Sequence, residues 1–134
     1  MTIPQYKIRY AYSARNDVAG IKKYILIHFK YRQLVENFKK KMLKMEKGLT
    51  TFPDGYEPSG FVYREYTIFL KPENTYLIFY VVDKPSKTVT ILRVLQDGMN
   101  WKYIIDRWVK DNNWIEYKRG HPYLAYGCSF YVER

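Results

Sequence analysis

Polar and apolar side chains alternate over Tyr6–Tyr12 and then repeat at helical spacing. The alternation predicts a half-buried strand, and the repeat predicts an amphipathic helix from Ser13 to about Phe29. Ser13 stands where an N-cap is expected, and Asp17 follows in the predicted first turn, where the helix dipole favours an anion.

A second helix is predicted directly after the first, with an apolar stripe from Leu34 to Leu49 and with Gly48 helping to end it. Lysines occupy its other faces: Lys39, Lys40, Lys44 and Lys47. The two helices are expected to form a hairpin whose apolar stripes pack on a sheet as core.

Three β segments follow the turn-rich stretch Thr50–Gly60: Phe61–Leu70, Thr75–Asp83 and Lys87–Leu95. The connections Lys71–Asn74 and Lys84–Ser86 are polar and contain proline, so they predict turns and an antiparallel meander. A third helix is predicted from Met99 to about Lys110, and a last strand near Tyr126–Val132.

This order of strand, helical hairpin, three-strand meander and C-terminal helix predicts an α+β fold. A length of 134 residues suits a single domain. We place its core at about residues 6–110 and an aromatic C-terminal extension at about residues 111–134.

Both faces of the central strand carry large apolar side chains, with Leu77 and Phe79 on one side and Tyr76 and Ile78 on the other. The helical hairpin can cover only one face, and an uncovered apolar face would be an interface or an aggregation hazard. We therefore predict that the chain from about Trp108 onward folds back over this second face of the sheet or over the edge of the sheet. The aromatic residues available for this are Trp108, Trp114, Tyr117, Tyr123, Tyr126, Phe130 and Tyr131.

The net charge of the chain limits the classes of partner that it is expected to bind. With 23 Lys and Arg against 13 Asp and Glu, the net charge is +10, which favours nucleic acid, an acidic protein or an anionic membrane surface. No apolar run approaches the length of a membrane span, and Met1–Pro4 does not begin a signal peptide. The single Cys128 suits a reducing compartment, so a cytoplasmic protein with an anionic partner and no membrane is expected.

The sequence contains no recognisable motif for binding a metal or a cofactor. Cys128, His28 and His121 are scattered and lack the spacing of a metal site. There is also no glycine-rich phosphate loop and no nucleophile motif. No metal and no cofactor are predicted.

Five segments between about Lys7 and Trp101 carry a family resemblance: KIRYAYSARNDVAGIKKYI, FPDGYEP, VYREY, YLIFYVVD and VTILRVLQDGMNW. With the helical hairpin among them, they resemble the RelE/ParE family of toxins from bacterial type II toxin–antitoxin systems. The resemblance implies a RelE-like fold and an acidic antitoxin whose extended C-terminal segment wraps around the toxin. It also implies one of two targets. RelE-like members cut mRNA at the ribosome, whereas ParE-like members inhibit DNA gyrase without cutting RNA.

The resemblance also suggests a site for metal-independent RNA cleavage, in which the 2′-hydroxyl attacks the adjacent phosphate. Such a reaction needs a base for the proton and cations for the phosphate charge. Arg64, Glu65 and Arg93 are the candidate catalytic residues, with Glu65 as the base. Lys71 and Tyr80 join the two arginines as candidate nucleic-acid contacts.

Arg93 also has a structural interpretation, an ion pair with Glu65 or Asp83 on the sheet surface. Sequence alone leaves both interpretations open.

Two positions depart from the pattern of RNA-cleaving relatives. Leu77 stands where those relatives carry arginine, and Gln96 stands where they often carry histidine or a basic residue. Glutamine cannot exchange a proton near neutral pH, so these departures weigh against cleavage and leave enzymatic activity undecided. A nucleic-acid-binding module without catalysis and a RelE-like fold that binds only an antitoxin-like partner are the alternatives.

Overall fold

A computed structural model of the protein describes residues 5–117 and the pair Val132–Glu133. Its elements in chain order are β1 (Lys7–Tyr10), α1 (Tyr12–Phe29), α2 (Arg32–Thr51), β2 (Glu57–Tyr63), β3 (Tyr66–Glu73), β4 (Tyr76–Asp83), β5 (Thr88–Gln96), α3 (Trp101–Tyr117) and β6 (Val132–Glu133).

One sheet contains all the described strands, in the order β2-β3-β4-β5-β1-β6. Strands β2 to β5 form an antiparallel meander, and β1 pairs parallel to β5, with Tyr10 opposite Ile91. The parallel pair is possible because the helical hairpin of α1 and α2 and the meander separate β1 from β5 along the chain. The predicted α+β class is confirmed, and so is the predicted order of a strand, a helical hairpin, a β meander and a C-terminal helix.

The meander has four strands, and the prediction of one strand over Phe61–Leu70 is wrong. Arg64 and Glu65 have φ angles of 49° and 71°, and they form a two-residue turn between Tyr63 and Tyr66. Positive φ at both central residues is the geometry of a tight hairpin turn, which asparagine and glycine normally mark. Neither residue type is present here, so composition could not reveal the turn.

Three smaller expectations also need correction. Lys71 lies inside β3, and the turn that follows is made at Asn74, whose φ is 60°. Gly48 lies within α2, which continues to Thr51. Ser13 is not an N-cap, because α1 begins at Tyr12 and its cap position, Ala11, makes no side-chain hydrogen bond.

Each face of the sheet has its own core. The helical hairpin covers the first face, where Phe38 and Met45 of α2 pack near Ile78 and Tyr80 of β4. On the second face, Phe79 and Val81 of β4 belong to a separate cluster. The alternation of β4 side chains between the two faces is therefore as predicted.

Helix α3 covers the second face. The centres of the Trp108 and Tyr63 rings lie 4.8 Å apart, and those of the Trp101 and Phe79 rings lie 5.4 Å apart. The prediction that Trp108 packs over this face is confirmed, and the rest of the predicted aromatic cover lies outside the side chains that the structure describes. Val132–Glu133 forms a strand at the end of the predicted span, and residues 126–131 lie outside the description. None of the described helices combines the length and apolarity needed to cross a bilayer.

Candidate functional site

The Arg93 guanidinium is held by a carboxylate of α1. Its Nε lies 2.7 Å from Asp17 Oδ2 and its Nη2 lies 3.0 Å from Asp17 Oδ1, so the pair is bidentate. Both side chains are largely buried, with 21% and 16% of their surfaces exposed. The expected ion pair of Arg93 therefore exists, but its partner is Asp17 and not Glu65 or Asp83.

Asp17 also closes the edge of β5. Its Oδ2 accepts a hydrogen bond from the Val94 backbone N–H at 2.9 Å, and the Ser13 hydroxyl, one helical turn earlier, donates to the Leu92 carbonyl at 2.6 Å. Strand β1 ends at Tyr10, and beyond that point none of the described strands neighbours β5 on this side. Side chains four residues apart on α1 satisfy the backbone groups that a longer strand would have paired.

A further hydrogen bond ties α3 to this edge. The Trp108 Nε1–H donates to the Ser13 hydroxyl oxygen at 3.1 Å, and that hydroxyl donates in turn to Leu92. Ser13 thus joins α1, β5 and α3 through one side chain. This corner of the molecule, where Arg93 also lies, is a structural junction.

The other two candidate catalytic residues lie far from Arg93. Arg64 and Glu65 are exposed at the β2–β3 turn, where the Arg64 guanidinium lies 5.0 Å from the centre of the Tyr63 ring. Arg93 of β5 lies opposite Phe79 of β4, and Phe79 lies opposite Leu70 of β3. Two strand spacings of about 4.8 Å and four residues of about 3.3 Å each therefore separate Arg93 from the start of β3 beside the turn. One phosphate cannot contact all three side chains in this arrangement.

Lys71 lies on the helix-covered face of the sheet. Its Nζ lies 2.6 Å from Glu73 Oε1, and both side chains are 9% exposed. The ammonium group also lies 4.9 Å from the centre of the Tyr56 ring. Contact between Lys71 and a phosphate would require this buried pair to break, which leaves Glu73 as an unpaired buried charge.

Tyr80 is completely buried, and its hydroxyl donates to the Pro53 carbonyl. Burial raises the pKa of its phenol, and nearby Tyr56 and Asp54 raise that pKa further. Base stacking needs an exposed ring face, which the buried Tyr80 does not offer, so the structure gives no support to the expected contact of Tyr80 with nucleic acid.

The two departures from the cleaving pattern lie at the same end of β4 and β5. Leu77 is partly buried against the second-face core, and Gln96 is exposed at the end of β5, opposite Tyr76. Burial raises the pKa of Tyr76, and a hydrogen bond with Gln96 partly offsets this. This end of the sheet therefore presents an amide and a protonated phenol at neutral pH. Among the residues that the structure describes, no group of three potential metal ligands comes together.

A groove lies between the two helices of the hairpin, and the sequence pattern does not predict it. It encloses about 490 Å³, and its lining residues are Tyr10, Arg15, Val18, Ala19, Lys22, Lys39, Met42, Leu43 and Glu46. At its floor the Tyr10 hydroxyl donates to the Glu46 carboxylate. Two apolar side chains of this groove are accessible to solvent: Val18 is partly exposed, and Leu43 is exposed. The sequence shows each helix as amphipathic, but the angle between the two helices decides which flanking residues meet.

Comparison with known proteins gives one family match. The model of the family described as the ParE toxin of the type II toxin–antitoxin system parDE matches residues 8–101, well over half of the chain. No curated protein matches.

Three solved structures similar to this chain come from toxin–antitoxin systems. The chromosomal ParDE system from P. aeruginosa matches with a TM-score of 0.55 and 13% identity, over 70% of this chain and 98% of that one. The RelBE2 toxin–antitoxin complex from Mycobacterium tuberculosis has a TM-score of 0.46 and 20% identity, over 69% of this chain and 98% of that one. The archaeal RelE–RelB complex from Pyrococcus horikoshii OT3 has a TM-score of 0.47 and 14% identity, over 70% of this chain and 97% of that one. The first likeness shows a shared fold.

Proposed function

This chain belongs to the ParE toxin family of type II toxin–antitoxin systems, and from that premise we propose that it arrests bacterial growth by binding DNA gyrase and not by cutting RNA. We further propose that a cognate acidic antitoxin neutralises it. One observation favours gyrase over mRNA as the target. Arg93 forms an ion pair with Asp17, and it lies far from Arg64 and Glu65 at the β2–β3 turn.

Cleavage of RNA needs a base and at least one cation around a single phosphate. In this chain the arginine of β5 is neutralised, the lysine of β3 is buried with Glu73, and the exposed carboxylate Glu65 stands at a remote turn. Gln96 adds no group that titrates near neutral pH. Inhibition of a protein target has no such requirement, because it needs only a complementary surface.

The antitoxin proposal is supported by charge and shape together. A net charge of +10 attracts an acidic chain, and the groove between α1 and α2 places Arg15, Lys22 and Lys39 around apolar side chains. An acidic amphipathic segment would fill the groove with apolar residues and pair its carboxylates with the rim. A shared fold with the ParDE system of P. aeruginosa is consistent with such a partner.

RNA cleavage at the ribosome is the second candidate function, and one observation favours it. Arg64 and Glu65 are adjacent, exposed and held in a strained turn, as functional residues often are. In this candidate the two residues would act at the turn without Arg93.

Controlled expression in a bacterial host tests the proposed function. Induction of the chain alone should slow growth and induce the DNA-damage response, and co-expression of the proposed acidic antitoxin should restore growth. Normal growth despite verified soluble expression would overturn the toxin proposal and leave an inactive binding module. Growth arrest with cut reporter mRNA and no DNA-damage response would overturn the gyrase proposal alone.

A further inference from the structure

The outward face of α2 carries a row of cationic and amide side chains. Lys40, Lys44 and Lys47 follow one another at intervals of four and three residues, which places them on one line along the helix. Gln33 and Asn37 extend the same line toward the start of α2, and the Gln33 amide donates to the Asn37 side chain at 3.0 Å. All five side chains are exposed. We call this row the α2 stripe.

The stripe is turned directly away from the core. The buried side chains of α2 lie on its opposite face: Val35, Phe38, Met42, Met45, Glu46 and Leu49. At 100° per residue, the centres of the two faces are about 180° apart around the helix axis. The stripe therefore presents one continuous polar surface with no apolar side chain along its line.

The positive charge of the stripe is not neutralised within the part of the chain that the structure describes. Glu36 pairs with Lys39, which flanks the stripe, and Glu46 is buried, where it accepts a hydrogen bond from Tyr10. No ion pair connects a described carboxylate to Lys40, Lys44 or Lys47. Other lysines of the molecule differ in this respect, since Lys84 pairs with Asp54 and Lys110 with Asp106.

We propose that the α2 stripe binds the phosphate backbone of a nucleic acid. Seven residues of helix separate Lys40 from Lys47, about 10 Å along the axis. One strand of duplex DNA places a phosphate every 3.4 Å or so along its axis, so the three-lysine row spans about three phosphate steps. The amides of Gln33 and Asn37 supply hydrogen-bond donors beyond the lysines, and such side chains commonly contact phosphate and sugar.

An acidic protein segment is the poorer fit to this surface. Recognition of a peptide generally depends on apolar anchors that enter pockets, with charge in a supporting role. The stripe offers no such pocket, whereas the groove between α1 and α2 offers apolar side chains with cations at its rim. The groove and the stripe lie on different faces of α2. An antitoxin in the groove would therefore not occupy the surface that we assign to nucleic acid.

This inference does not rest on the choice between gyrase and mRNA as the target. Duplex DNA and RNA present the same phosphate chemistry, and the experiment separates them. If the target is gyrase, a nucleic-acid contact on α2 would concentrate the protein near DNA. If the target is the ribosome, the same contact would meet RNA.

Fluorescence anisotropy with the full chain tests the proposal. A labelled mixed-sequence duplex DNA and a labelled RNA of equal length are titrated at several NaCl concentrations from about 50 to 200 mM, a range over which phosphate contacts respond strongly. The stripe variant Lys40→Gln/Lys44→Gln/Lys47→Gln is compared with a charge-matched control, Lys23→Gln/Lys87→Gln/Lys102→Gln. The control lysines are all exposed and lie on three different elements or turns.

Each phosphate contact contributes about 0.9 to the slope of log K against log salt for duplex DNA. The stripe variant should therefore lose about 2.7 from the magnitude of that slope, and the control variant should lose less than one contact's share. Glutamine is nearly as good a helix former as lysine, so both variants should retain the helical circular dichroism of the parent.

Three results would overturn the proposal. The first is no measurable binding of the parent chain to either nucleic acid. The second is an equal loss of slope in both variants, which would show that the overall positive charge of the protein, and not the stripe, attracts the nucleic acid. The third is binding of poly-glutamate with the same dependence on the stripe lysines, which would assign the surface to an acidic protein. None of these results bears on growth inhibition.

Discussion

The carboxylate of Asp17 accepts hydrogen bonds from the Arg93 side chain and from the Val94 backbone N–H. One side chain of α1 thus neutralises the arginine and satisfies the exposed edge of β5. Arg93 is therefore part of the junction between helix and sheet, and any effect of its replacement on toxicity has to be separated from an effect on folding.

Replacement of Asp17 should be among the most destabilising polar changes in the molecule. Asp17→Ala removes the partner of a largely buried arginine and of a backbone N–H, which should lower the free energy of unfolding by about 2–4 kcal/mol. Urea unfolding measures the change. Glu36→Ala is the matched control, because it breaks an exposed pair with Lys39 and should cost less than about 1 kcal/mol. Equal losses in the two variants would contradict the structural role of Asp17.

The β2–β3 turn should be improvable. Arg64→Asn/Glu65→Gly places the residue types that tolerate positive φ at both turn positions, so it should raise the free energy of unfolding by about 1 kcal/mol. Under the gyrase proposal, this more stable variant keeps its toxicity. Loss of toxicity with a gain in stability would instead identify the turn as a functional site and favour RNA cleavage.

Alkaline pH should weaken the fold through Tyr80. Burial raises its pKa in the folded chain, so the folded state holds this proton more tightly than the unfolded state. Its contribution to stability is complete below the ordinary tyrosine pKa of about 10 and is lost as pH rises above that value. Urea unfolding of the parent chain at neutral pH and above pH 10 should show the loss.

Tyr80→Phe separates this contribution from those of other tyrosines. At neutral pH the variant should be about 1–3 kcal/mol less stable, because the Pro53 carbonyl loses its donor. Its stability should then fall less steeply above pH 10 than that of the parent. Tyr103→Phe, at an exposed position, should match the parent at both pH values, and identical alkaline slopes for parent and Tyr80→Phe would refute the assignment.

The link between Ser13 and Trp108 should hold α3 on the sheet. Ser13→Ala leaves the Leu92 carbonyl and the Trp108 N–H without their shared partner, so it should cost about 1–3 kcal/mol. In a Trp108→Phe background the same change should cost less, because one of the two groups is already gone. Additive losses in a double-mutant cycle, followed by urea unfolding, would show that the hydrogen bond carries no coupling.

The fold could be predicted from the sequence wherever periodicity was strong. Helix α1 and strand β4 lie within one or two residues of their predicted spans, because alternation and helical spacing report burial directly. The division of Phe61–Leu70 could not be predicted, because Arg64 and Glu65 carry none of the usual turn signals. Tertiary packing fixes that turn against local preference.

The candidate site was less predictable than the fold. The sequence indicated that Arg93 lies near the end of a strand, but Asp17 is 76 residues away along the chain, and only the packing of α1 on β5 brings the two together. Lys71 and Tyr80 were selected by residue type, and their burial depends on which face of each strand the helices cover. The groove between α1 and α2 likewise depends on how the two helices meet.

Inhibition of purified DNA gyrase would show directly whether the protein acts on gyrase or on mRNA. A supercoiling assay with the purified chain, run beside primer extension on mRNA in a translating extract, compares the two targets under the same protein concentrations. If gyrase is the target, the purified chain should abolish supercoiling, the cognate antitoxin should restore it, and the mRNA should stay intact. Full supercoiling together with new 5′ ends on the mRNA would contradict the gyrase proposal.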